Sequence, residues 1–508
     1  MTFAISIFFA MSQIKYAQRF VLVTAAAISC CVVGCSGGVE HPIVFEPNLV
    51  HTMKYQIQND VPMEEASKDS TWVVETMFGT PDEPKLPKVV EEDDELSKIV
   101  TIDRLKKASG SPEEEDRGLY RLLCSTCHGV TGNGRGPSGS AQVPYPRDYR
   151  MGVFKFKSTP RGTKPTRNDL AKLIRGGIAG TNMTSVDKLL ETEKFRRQQM
   201  NEPAVDVNEI TEEDIQSLVD YVIYLSWRGE HERRQVDMAV LDGIIEDGER
   251  LINSDFGAKV MGDEAFKASL DEAEDADEES LSEPMKENLA LYERFQEDWE
   301  YAEDYAIEIG ESWLEADEEV LEVPDPPTDF PLAESYADVV KLRQGPQAEE
   351  FEDSVTRGQA LFVGKVATCS KCHGEKGLGD GQTTDYDDWT KDWTSRVGIK
   401  PEDRESQIPL LARGALPPMN AIPRNFAQGI FRGGSSSKDL YRRIMQGIDG
   451  TPMPAATFVE GQFEEGDVWH LINFIRSLQT DEQSAEEGSD QGDEASPAAE
   501  TEATEKSA

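Results

Sequence analysis

The chain has 508 residues, with 52 basic and 96 acidic side chains and a formal net charge of −44. Phosphates repel a chain of that charge, which makes nucleic acid a poor candidate for its partner. Of its seven cysteines, three lie near the N-terminus and the other four form two Cys-x-x-Cys pairs, each followed directly by a histidine.

In chain order, residues 1–34 read as a signal peptide. Phe20 to Gly34 is mostly apolar and comes after Lys15 and Arg19. At that length it is too short for a comfortable membrane span and suits a secretory core. Met1 to Ala10 is a second apolar segment, so initiation at Met11 is an alternative. Val32-Val33-Gly34-Cys35-Ser36 resembles a bacterial lipoprotein processing site. The resemblance implies that Cys35 is lipidated and becomes the mature N-terminus, which anchors the protein to a membrane on its periplasmic side. Such cleavage removes Cys30 and Cys31 and leaves no spare pair for a disulfide. Ordinary signal cleavage and an uncleaved anchor are the alternatives.

Residues 35–110 contain Pro- and acid-rich stretches such as Pro81-Asp82-Glu83-Pro84 and Glu91-Glu92-Asp93-Asp94-Glu95. Without sustained periodicity they read as an extended acidic tether. At Ser111-Pro112-Glu113-Glu114-Glu115-Asp116 an N-cap candidate, an early proline and a run of acids predict a helix that runs into Cys124.

Cys124-Ser125-Thr126-Cys127-His128 comes next, and Cys369-Ser370-Lys371-Cys372-His373 repeats it. Cys-x-x-Cys-His is the c-type haem attachment signature, in which two thiols bond the haem and the histidine takes the iron. The residues downstream of the two copies also match. Pro146-Arg147-Asp148-Tyr149 with Gly152, Phe154 and Lys155 corresponds to Pro423-Arg424-Asn425-Phe426 with Gly429, Phe431 and Arg432. Asp169-Leu170 leads to Gly177 and Met183 as Asp439-Leu440 leads to Gly447 and Met453. Each unit closes on an amphipathic helix, around Leu218, Tyr221 and Leu225 or around Leu471, Phe474 and Leu478. An internal duplication explains these correspondences together.

The order of elements resembles the class I cytochrome c family over 111–229 and 351–480. The resemblance implies an all-α fold: two class I cytochrome c-like helical domains, each with a helix before the motif, a loop bearing a distal methionine and a crossing C-terminal helix. It implies two covalently bound haem c groups, held by Cys124, Cys127 and His128 and by Cys369, Cys372 and His373. The second approach departs from the pattern, because Phe362 lies seven residues before Cys369 and about three residues around Gly364-Lys365-Val366 must loop out. The first domain carries a surplus around Phe195 to Val205 and the second a surplus between Gln382 and about Met419.

Met453, set between Pro452 and Pro454, is the expected sixth ligand of the second iron, since a thioether there raises the potential. Met183 is the aligned candidate for the first, with Met200 as the alternative. The other histidines, His41, His51, His231 and His470, are possible ligands, His470 being better read as a helix residue.

Residues 230–350 read as an acidic, mostly helical linker. Gly262 to Glu322 holds 24 acidic against 3 basic residues, yet Leu291, Phe295, Trp299, Ala302, Ala306, Ile309 and Trp313 recur at helical spacing. This predicts a helix docking an apolar stripe. Residues 481–508 have the composition of a disordered acidic tail. Arg117 to Lys188, by contrast, holds 13 basic against 3 acidic residues. That island suggests a basic rim, with Arg147, Arg150, Lys155, Lys157 and Arg161 facing either an acidic redox partner or the chain's own acidic segment, a merely solvated basic face being the alternative.

The sequence thus points to electron transfer between redox proteins of a membrane respiratory chain. A dihaem peroxidase-like enzyme and a cytochrome subunit of a larger respiratory complex are the alternatives.

Overall fold

The computed structural model describes residues 43–205 and 207–480. The signal segment, Cys35, His41 and the acidic tail lie outside them. Among the described residues the secondary structure is helical, with only isolated bridges such as Gly79 to Pro84, as the all-α expectation requires. No described helix is long and apolar enough to cross a membrane.

The segment expected to be an extended tether is folded from Phe45 onward. It forms α1 (Leu49–Asn59), α2 (Glu64–Phe78), α3 (Lys88–Glu91) and α4 (Ile102–Ala108). Phe45, Val73, Val74, Phe78, Leu96 and Leu105 are buried in one core with residues from both motif-bearing and linker segments. The helical signal was concealed because α1 and α2 also bury polar residues. His51 and Lys54 meet Asp237 and Asp392, and Asp69 pairs with Arg250.

The helix expected from Ser111 is a set of turns followed by the short α5 (Leu119–Leu123) and α6 (Ser125–His128). Asp116 and Gly118 adopt positive φ, and the intended first-turn acid Glu113 is drawn off to Ser111 and Arg197. α4 supplies the missing packing partner. It joins the C-terminal helix through Arg104 to Glu213, Lys107 to Asp214 at 2.6 Å and Thr101 N to Asp220 Oδ2 at 2.9 Å.

Beyond the motif come α7 (Arg167–Gly176) and α8 (Val186–Met200), then α9 (Glu212–Leu241), which starts at a Thr211/Asp214 capping box. α9 runs unbroken across the expected boundary at residue 230. Tyr221, Tyr224 and Trp227 are almost wholly buried on it. The acidic segment then forms α10 (Ser254–Gly262), α11 (Glu264–Glu274) and α12 (Glu283–Leu314). As the stripe predicted, Phe295, Ala302, Ala306 and Trp313 are buried, while Leu291 stays exposed. Trp227 Nε1 donates to Ala306 O at 2.9 Å, and His231 Nε2 donates to Ala302 O at 2.7 Å. The linker is therefore packed against the first motif-bearing region.

The second region has α13 (Tyr336–Arg343), α14 (Ala348–Val363), α15 (Ser370–His373), α16 (Asp388–Trp393), α17 (Arg404–Leu411), α18 (Ser437–Gln446) and α19 (Asp467–Ser477). α14 crosses α19 so closely that a Cβ on Gly358 would fall 2.0 Å from His470 O, so only glycine fits there. The expected loop between Val363 and Cys369 is present. The surplus in this region forms α16 and α17, and its Trp393, Ile399 (between the two helices) and Leu410 pack with Val50 and Met53 of α1.

Candidate haem-binding sites

Each motif occupies one helical turn, so its two cysteines, three apart, share a face with the histidine after them. All four cysteines are half-buried, and none of them pairs in a disulfide. In the second motif His373 Nδ1 donates to Arg424 O at 3.2 Å, and Phe426 stacks on the ring at 4.6 Å and 19°. In the first, His128 Nδ1 donates to Arg147 O at 3.3 Å, and Tyr149 stacks at 5.0 Å and 11°. The main-chain carbonyl fixes the tautomer and leaves Nε2 as the lone-pair nitrogen, the arrangement a metal-ligating histidine requires. Burial pushes His128 down to about 4 and lowers His373 as well, so both imidazoles are held neutral, the form that can ligate. Burial also raises the Cys124 thiol to about 12 and Cys369 to about 11.

The loop after each motif repeats too. Gly134 N donates to His128 O and Gly379 N to His373 O, both at 2.9 Å. Tyr149 N donates to Gly132 O and Phe426 N to Gly377 O, both at 2.8 Å. These bonds aim the stacking ring at the histidine. The His-Gly-x-x-Gly-x-Gly run shared by the two copies is the sequence signal for this loop, and it extends the repeat beyond the residues singled out above.

Met183 and Met453 sit in equivalent loops, both half-buried. Ile178 N donates to Met183 O at 2.7 Å, and Ile448 N to Met453 O at 3.2 Å. Thr181 Oγ1 and Thr451 Oγ1 each bridge from the isoleucine carbonyl, at 2.7 Å, to the methionine N–H. Gly177 and Gly447 have φ of +73° and +67°, and a Cβ on either would fall 2.6 Å from the methionine carbonyl. The threonine-glycine frame, present in both loops, holds the methionine whether or not prolines flank it.

The remaining ligand candidates are elsewhere. Met200 is exposed at the end of α8. His231 is satisfied within the core, accepting from Gln235 Nε2 at 2.9 Å. His51 faces Asp237 at 2.8 Å, and His470 bonds Ser354 Oγ at 2.9 Å.

The basic residues expected to rim the first site are engaged within the chain instead, and all but the exposed Arg161 are buried or half-buried. Arg147 stacks on Trp389 of α16 with its guanidinium carbon 3.3 Å from the ring centroid. Arg150 is 4% exposed and pairs with Asp148 at 2.8 Å. Lys155 approaches Asp387 at 3.6 Å, Lys157 pairs with Asp449 at 3.0 Å, and Arg161 bonds the Met453 loop. The acidic counterparts of Lys155 and Lys157 come from the second region and that of Arg150 from the first, rather than from 262–322. Charge density along the sequence registered the cations but not their neighbours.

The donor set fits haem: two thiols and a neutral imidazole on one turn, twice. Arg424, whose carbonyl orients His373, also has a buried Nε with no partner among the described residues, a cation suited to a carboxylate-bearing group.

Residues 355–479 match the family model described as cytochrome c. That stretch is a cytochrome c domain, which brings covalently bound haem c, its iron and electron transfer to this chain. A solved chain from a Kuenenia stuttgartiensis reducing HAO-like protein complex is also similar. It is 19% identical, with 72% of this chain and 94% of that chain covered, at a TM-score of 0.35. No curated protein matches the chain.

Proposed function

We propose that this protein is a dihaem c-type cytochrome that transfers electrons. Cys124 and Cys127 hold the first haem and Cys369 and Cys372 the second, with His128 and His373 as proximal ligands and Met183 and Met453 as distal ones. Bound haem iron supplies the one-electron ferric–ferrous change. The residues of the chain attach it, fix the imidazole through Arg147 O or Arg424 O, and offer a thioether from a loop pinned by threonine. The reading rests above all on the recurrence of these hydrogen bonds in both regions. With it goes a lipid anchor at Cys35, export to the periplasmic side and redox partners in a membrane respiratory chain.

A carrier with two methionine-ligated haems differs from a peroxidase-like enzyme, which needs an open iron. Spectra of the reduced full-length protein with and without carbon monoxide separate the two. The carrier reading expects no change on adding the gas, and prompt binding at either haem would contradict it.

A further inference from the structure

The loop that carries Met453 is held from outside its own domain. Arg161 Nη1 donates to Ile448 O at 3.0 Å, Thr451 O at 3.3 Å and Met453 O at 2.9 Å. Next to it Gly162 N donates to Asp449 Oδ2 at 2.9 Å, and Lys157 pairs with that same carboxylate. Charged donors make the stronger hydrogen bonds, and a guanidinium keeps its charge at any accessible pH. The Met453 carbonyl accepts one bond inside the loop, from Ile448 N, so Arg161 uses its second lone pair, while the Ile448 carbonyl already accepts from Thr451 N and Oγ1 and shares its oxygen with Arg161.

The arrangement is not a by-product of the duplication. Fifteen positions separate Phe154 from Asp169, whereas eight separate Phe431 from the corresponding Asp439. Arg161 lies in that surplus of the first region. In the opposite direction Arg432 makes one bond, to Gly180 O at 3.3 Å.

We propose that Arg161 is a positioning residue for the second haem: it holds the Met453 loop closed, so that distal ligation in one domain depends on the docked presence of the other. This rests on the reading of Met453 as the sixth ligand. Arg161 is itself exposed, so its replacement leaves both cores intact.

The test uses the full-length, haem-loaded protein and three variants, Arg161→Gln, Met453→Ala and Lys172→Gln. The last removes a different exposed link between the regions, Lys172 to Asp439 at 2.8 Å. Readouts are the potential of each haem and carbon monoxide affinity in the reduced state. Arg161→Gln should lower the second potential and raise gas affinity there on the order of tenfold, with the first haem unmoved. Lys172→Gln should match the unmodified protein, and Met453→Ala should open the second haem fully. If Arg161→Gln is silent while Met453→Ala opens the site, the clamp is overturned and the ligand reading stands. If Lys172→Gln behaves like Arg161→Gln, general docking replaces the clamp. If Met453→Ala leaves the site closed, ligand and clamp fall together.

Discussion

The two motif-bearing regions carry the same site on different frames. The second builds its own: α14 crosses α19 at Gly358, and Trp469 and Phe463 are buried within its separate core. In the first, α5 is a single turn, and α4, α2 and the linker helix α12 complete the core around Tyr224 and Trp227. A repeat visible in sequence therefore does not close its own core in the first half, because the helix before the motif, α5, has 5 residues where α14 has 16, and the apolar surface it would have buried is covered by other segments.

The largest expected break in this comparison is Trp227→Ala. It removes a fully buried ring and its bond to Ala306 O, at about 3–5 kcal/mol. Trp469→Ala is its counterpart in the second core. Calorimetry should show the first variant lowering one transition and the second another. A single transition shifted by both would mean that the halves unfold as one body.

A smaller effect separates the halves by pH. His51 and His231 are buried in the first half and held neutral, both pushed down from 6.5 to about 4, chiefly by desolvation. Around His51, Arg233 and Lys54 oppose its protonation and Asp237 favours it. The unfolded chain takes up these protons first as pH falls, so their stabilisation is complete above 6.5 and is lost between 6.5 and 4. The loss is up to about 3 kcal/mol per histidine. Urea midpoints at pH 7 and pH 5 should fall more for the first transition, and His51→Gln should reduce that fall.

The motifs, the duplication and the α12 stripe were legible because each is a local pattern: fixed spacing in the motifs, helical period in the stripe. The folding of residues 45–108 was not legible. The polar residues buried there, His51, Lys54 and Asp69, are matched by partners about 180 to 340 residues away, and no local window contains both members. The inward turn of Arg147, Lys155 and Lys157 was missed for the same reason, since Trp389, Asp387 and Asp449 belong to the other repeat. The equivalence of Met183 to Met453 was harder to read, because the prolines that flank Met453 have no counterpart beside Met183. The shared Gly-Ile-x-Gly-Thr-x-Met run specifies the loop in both.

The central claim, that both frames hold the same cofactor, is tested most directly by counting haem. A pyridine haemochrome assay on denatured, washed protein should give two covalent haems per chain. The count should fall to one when Cys124 and Cys127 are replaced by alanine, and to one when Cys369 and Cys372 are. A count of one in the unmodified protein, unaffected by the first pair of substitutions, would contradict the account.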